Sequence, residues 1–150
     1  MHILFVTPTL PVPTSGGRTR LFNEIKELST RHQVSVISFV QPSERAMLPD
    51  LAHYCNRIEL VPFEGLSPLS TWRNRVVGWS QILFDRRPRY VNTFPVSRMR
   101  IPLRSLLRDQ VQDVVVFEML FLVELLGETE GTSVVLVEQN VESDLSLIHI

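Results

Sequence analysis

MHILFVT (1–7), PTLPVPTS (8–15), GGRTRLFNEIKELSTRH (16–32) and QVSVISFV (33–40) follow one another at the start of the chain and read as strand, loop, helix and strand. His2 to Val6 is a short apolar run rich in β-branched and aromatic side chains, the pattern of a strand buried on both faces. Pro8, Pro11 and Pro13 then forbid regular structure, since each lacks an N–H and restricts the residue before it. Ser15 stands where a helix cap is expected, and Gly16 and Gly17 permit unusual dihedrals and close approach of a ligand to bare backbone. Leu21, Ile25 and Leu28 recur at helical spacing, with Phe22 widening the stripe and Asn23, Glu24, Lys26 and Glu27 opposite. Val34 to Val40 is a second buried strand. A strand, a helix and a strand within about 40 residues predict a right-handed βαβ unit.

The first turn of such a helix carries free N–H groups and roughly half a positive charge, which suits a phosphate. The alternative is that Gly16-Gly17 only makes a tight turn. The G-x-G-x-x-G spacing of a dinucleotide site is absent.

Working outward, Ser43 to Tyr54 reads as a helix interrupted or kinked by Pro49, and Arg57 to Val61 as a strand ending at Pro62. Pro68 to Phe84 reads as a helix with Trp72, Val76, Trp79 and Leu83 on one side, either core or an interfacial face, and Arg86 to Arg89 as a loop. Val96 to Val111 is a helix that Pro102 kinks or starts. Asp113 to Phe117 is a buried strand with Glu118 at its carboxyl edge. A short helix over Met119 to Leu126 is broken at Gly127 to Gly131, and Ser133 to Val137 is the last strand. No repeat interrupts this alternation, which predicts a mainly parallel α/β sheet with helices on both faces. Ligands of such sheets bind beyond the carboxyl ends of the strands. Three polar groups fall at such ends: Gly16-Gly17, Glu118, and the stretch Glu138 to Glu142. They are expected to converge in one crevice.

Composition limits what the chain can be. With 150 residues, 44% hydrophobic content and a net charge of −1, it suits one soluble globular domain. Cys55 is the single cysteine, so an intrachain disulfide is excluded; a reducing compartment fits, and a small buried or half-buried side chain is expected. No run approaches the ~20 apolar residues of a membrane span, and no signal peptide is evident. The charges are segregated. Trp72 to Arg104 holds eight arginines against Asp85, whereas Asp109 to Asp144 holds nine acids and no Lys or Arg. The basic stretch could meet anionic lipid or phosphate; the blander reading is a solvated face partly neutralised by the acidic third. It matches no nucleic-acid motif, and no nucleic-acid partner is expected.

Four stretches resemble one family. Pro11-x-Pro13-x-x-Gly16-Gly17-x-x-Arg20 with Leu28 resembles the opening of family-4-like glycosyltransferases. Arg31-His32-Gln33-Val34-Ser35-Val36 is similar to that family's RHEVTV, Asp113 to Glu118 to its fDvVhvE, and Val137 to Ser143 to the dehNVEs of its sugar-transferase members. The resemblance implies a Rossmann-like domain over residues 1–144, the N-terminal, acceptor-binding half of a GT-B fold. It further implies a nucleotide-sugar donor as co-substrate, a glycan or lipid-linked acceptor, retention of anomeric configuration and no metal. It places Gly16 and Gly17 near the donor diphosphate, with Arg20 a candidate to meet phosphate or an acidic sugar. Glu118, as a catalytic carboxylate, and Glu138, Asn140 and Glu142, as binding residues, then fall on the acceptor side. Arg18 is a further candidate for phosphate or an acidic sugar, the alternative for both arginines being first-turn solvation. Many members carry histidine where this chain has Glu118 and Gln139, so Glu118 is expected to orient sugar hydroxyls or to accept a proton. The alternative for Glu118 is a strand-end carboxylate facing water.

The family's donor-binding second domain is absent from these residues, and Leu145 to Ile150 resembles a translated sequencing adapter, a read-through tail that leaves His149 without a role. The expected function is thus the acceptor half of a glycosyltransferase in polysaccharide or glycolipid synthesis. It is expected to be inactive alone and cytoplasmic, with peripheral membrane contact through Arg73 to Arg104. The alternatives are a stand-alone flavodoxin-like phosphate-binding module and a membrane-docking domain.

Overall fold

A computed structural model describes residues 1–63 and 94–138. Five strands, β1 (His2–Thr7), β2 (Gln33–Val40), β3 (Arg57–Pro62), β4 (Val114–Glu118) and β5 (Ser133–Val137), form one sheet in the order β3-β2-β1-β4-β5. All four pairings are parallel. Because β1 lies between β2 and β4, the chain reverses its direction of travel across the sheet at the β1/β4 boundary. That boundary is the switch point where doubly wound sheets open a crevice.

Burial follows position in the sheet. β1, β2 and β4 are buried along nearly their whole length, as their unbroken apolar runs require. On one face Ile3, Phe5, Val34, Val36 and Val116 pack with Leu21 and Ile25 of α1 (Gly16–Ser29) and Leu51 of α2 (Leu48–Ala52). On the other face Leu4, Val6, Ile37, Phe39, Val115 and Phe117 meet Val96 and Met99 of a 3-10 turn and Leu103 and Leu106 of α3 (Arg100–Asp109). Truncating any of these fully buried leucines to alanine is expected to cost about 2–5 kcal/mol.

Several expectations change in detail. The helix expected over 43–54 is a 3-10 segment, Pro42–Met47, followed by the short α2. Pro49 has no N–H to return to the Arg45 carbonyl, so an α-helix cannot run through it. The helix expected over Val96 to Val111 divides into a 3-10 turn and α3, and Pro102 sits in the first turn of α3, close to its start, where its missing donor has no intrahelical partner anyway. The helix expected over Met119 to Leu126 is a 3-10 segment, Leu120–Glu128, that runs through Gly127. The break falls at Thr129 and at Gly131, whose φ of +81° favours glycine.

Helices lie on both faces of the sheet, as expected, and the edge strand is its more exposed part. On β5, Val134, Val135 and Leu136 are 37%, 46% and 43% exposed, although successive residues point to opposite faces. The expected helix over Pro68 to Phe84, the loop at Arg86 to Arg89 and the tail at 145–150 lie outside the described residues.

Candidate functional site at the carboxyl edge

The loop after β1 is held by its own apolar residues. Leu10 and Val12 are fully buried between the prolines and join the α1-side core. The Thr7 hydroxyl donates to the Thr9 carbonyl at 2.9 Å, and the Val12 and Thr14 amides donate to the Leu10 and Val12 carbonyls at 3.0 and 2.7 Å. The loop therefore delivers the start of α1 to a fixed place beside the end of β4.

At that place Arg20 reaches across to Glu118. Arg20 Nη2 donates to Glu118 Oε2 at 2.6 Å, and Nη1 donates to Glu24 Oε2 at 2.6 Å, one turn further along α1. The Glu118 side chain is 1% exposed and that of Arg20 is 43% exposed, so the pair runs from the core to the surface. The water-facing alternative for Glu118 is thereby corrected. Its carboxylate closes the buried end of β4, because the last residue of a central strand is still flanked by β1 and β5.

Both arginines are ion-paired, Arg20 while still largely exposed and Arg18 partly buried. Arg18 Nη1 donates to Glu44 Oε1 at 2.5 Å, and Glu44 Oε2 accepts the Gln41 amide at 2.9 Å. Each guanidinium is already held by a carboxylate from another strand's carboxyl end. Glu44 is thus a partner that the sequence reading missed. Its only signal was a Gln41-x-x-Glu44 capping pattern before a short helical run.

The glycine expectation is revised too. Gly16 and Gly17 lie in the first turn of α1, and among the described residues only Gly131 is a glycine with positive φ. Neither Gly16 nor Gly17 is therefore required by its dihedrals. A Cβ built on Gly16 would meet nothing within 4 Å. Ser15 occupies the cap position in extended conformation, but its hydroxyl makes no capping bond; its carbonyl accepts the Thr19 amide at 2.7 Å.

Beyond Glu118 the backbone is strained. Met119 has φ +137° and ψ +141°, a region normally left to glycine and costing about 1–3 kcal/mol. The turn directs the Leu120 amide toward β5, where it donates to Glu138 Oε2 at 3.0 Å. So α1 and the ends of β4 and β5 are linked in pairs: Arg20 with Glu118, and the residues after Glu118 with Glu138. Asn140 and Glu142 lie outside the described residues, as does most of the basic stretch. Of its arginines, Arg104 donates to Glu128 through both Nε and Nη2, the latter at 3.0 Å, and Arg100 lies 3.9 Å from the same carboxylate. The Arg104 hydrogen bond holds the Glu128 carboxyl below its ordinary range and raises the guanidinium in turn. Far from this edge, burial pushes the Cys55 thiol up to about 12. Among the described residues no group of three or more His, Cys, Asp or Glu gathers as a metal site, and no helix is long and apolar enough to cross a membrane.

The parallel sheet, its order and the helices on its two faces decide the architecture. The fold is Rossmann-like. No protein-family model and no curated protein matches the chain. Seven chains of known structure do. The C-terminal domain of PF1911 hydrogenase from Pyrococcus furiosus superposes with a TM-score of 0.57 at 13% identity, over 90% of this chain and 89% of that one. At that identity the likeness is one of fold alone. A UGT transferase from Siraitia grosvenorii, solved with UDP, gives a TM-score of 0.44 at 13% identity over 98% of this chain, which spans 26% of that protein. That superposition is too loose to argue from.

Proposed function

We propose that the chain is the acceptor-binding, N-terminal half of a retaining glycosyltransferase of the GT-B kind, taking a glycan or lipid-linked acceptor and working with a nucleotide-sugar donor. The observation that carries the reading is the Arg20–Glu118 pair at the β1/β4 switch point, inside two of the four stretches that resemble family-4-like glycosyltransferases. An ion-paired carboxylate is a hydrogen-bond acceptor with several lone-pair directions, suited to aligning a sugar hydroxyl. Arg20 positions Glu118, and Glu138, Asn140 and Glu142 extend the acceptor side. Because Arg18 and Arg20 are both engaged by carboxylates, the donor diphosphate falls to the backbone N–H groups of Gly16 and Gly17. Aligning the acceptor and stabilising the departing phosphate are then the protein's main contributions to rate.

Sugar transfer tests this. The 150-residue chain alone is expected to form no product from nucleotide sugar and acceptor, whereas a polypeptide carrying a donor-binding domain after residue 144 transfers sugar with retention. In that longer protein Glu118→Gln is expected to lower kcat/KM by about 100-fold or more, the scale of losing one positioned acid–base or orienting group. Turnover by the chain alone, or full activity of Glu118→Gln, contradicts the proposal.

A further inference from the structure

The first turn of α1 has little local support. It opens with Gly16 and Gly17, the residue type that loses most backbone freedom on ordering, and the Ser15 hydroxyl makes no capping bond. A Cβ built on Gly16 would meet nothing within 4 Å, so Gly16 lies in open space. The buried anchors of the helix begin only at Leu21 and Ile25. What ties the turn down comes from two neighbouring strands. Arg18 Nη1 donates to Glu44 Oε1 at 2.5 Å, and Glu44 is itself fixed just beyond the end of β2 by a reciprocal capping box with Gln41. Arg20 Nη2 donates to Glu118 Oε2 at the end of β4. Residues two apart on an α-helix leave it about 200° apart, so the two arginines run to opposite sides of α1. In the sheet β2 and β4 likewise flank β1 on opposite sides. The Arg18 and Glu44 side chains are 22% and 13% exposed, so their pair is less screened by water than a surface one.

We propose that the Arg18–Glu44 and Arg20–Glu118 pairs are two stays that hold the first turn of α1 at the carboxyl edge of the sheet, and that Glu44 is a positioning residue for the N–H groups of Gly16 and Gly17. Freezing two glycines at the moment of binding costs affinity; a turn already held in place avoids that cost. Glu44 therefore acts through Arg18 and the backbone, not by touching a ligand. The holding of the turn follows from the geometry alone. Its consequence for a diphosphate rests on the function proposed above.

Two measurements on the 150-residue chain test the two parts. The Thr19 amide donates to the Ser15 carbonyl at 2.7 Å and so reports the first turn. In Glu44→Gln and in Arg18→Met its hydrogen exchange should speed up at least about fivefold, with the Ile25 amide unchanged. No change at Thr19, or an equal change at Ile25, overturns the stays. The second measurement is titration with inorganic pyrophosphate, followed by the Gly17 amide shift. If charge alone mattered, Glu44→Gln would bind this anion more tightly, because a negative charge is removed. Positioning predicts the opposite sign, with Glu44→Gln binding about five- to tenfold more weakly than the unsubstituted chain. Equal or tighter binding by Glu44→Gln overturns the positioning role. Failure of the unsubstituted chain to bind pyrophosphate overturns that role together with the diphosphate reading it rests on, whereas the exchange result judges the stays by itself.

Discussion

Arg20 holds two carboxylates of very different standing, and substitutions should separate them. Glu24 is on the surface, so Glu24→Ala is expected to cost no more than about 0.5 kcal/mol. Arg20→Ala removes the arginine from the nearly buried Glu118 and should cost about 1–3 kcal/mol in urea unfolding, less than a fully buried pair because the guanidinium is 43% exposed. Cys55 gives a pH-dependent counterpart. Its thiol is raised from an ordinary 9.0 to about 12 by burial, so the folded state binds its proton more tightly than the unfolded state does. The resulting stability is full below 9, where both states are protonated, and is lost as pH rises toward 12. At mildly alkaline pH, iodoacetamide should label Cys55 more than about a hundredfold more slowly in the folded chain than in urea.

Within the elements, two backbone positions carry opposite expectations. Gly16 has open space around it and sits in a helix, so Gly16→Ala should stabilise the chain by about 0.4–1 kcal/mol. A gain of that size bought with weaker binding of the nucleotide sugar by the longer protein is what a ligand-approach role predicts. At Met119 the strained φ favours a residue without Cβ, so Met119→Gly should be more stable than Met119→Ala by about 1 kcal/mol in thermal or urea unfolding. α3 and the 3-10 segment after β4 share apolar packing and are also joined by an ion pair. Glu128 titrates below its ordinary 4.5 because Arg104 donates to it, so its contribution is present above that value and disappears as pH falls through the lowered one. The difference in melting midpoint between the chain and Glu128→Gln should accordingly be seen at neutral pH and vanish in acid.

At the scale of the molecule, β1, α1, β2, β3, β4 and β5 were legible within one to three residues, because each is an apolar run or a helical stripe bounded by proline, glycine or charge. The short helical segments were not. Whether Pro42–Met47 and Leu120–Glu128 wind as α or 3-10 depends on where the next strand must start, and periodicity does not record that. At the candidate site, the residue types at Arg20 and Glu118 were readable, but their contact across 98 positions of sequence is a product of the strand order. Glu44 and the strain at Met119 left almost no trace in the pattern. The basic stretch carries a whole-molecule prediction. Since Arg100 and Arg104 already face Glu128, any partition onto anionic vesicles should depend on Arg73, Arg75, Arg86, Arg87, Arg89 and Arg98, and reversing Arg86, Arg87 and Arg89 should markedly weaken it. The most direct test of the acceptor-side account is amide chemical-shift mapping of the chain titrated with glycan and lipid-linked acceptors. Saturable shifts centred on Arg20, Glu118, Leu120 and Glu138, lost in Glu118→Gln, are predicted; no shifts, or shifts confined to the opposite edge of the sheet around His2, Gln33 and Asp113, would contradict it.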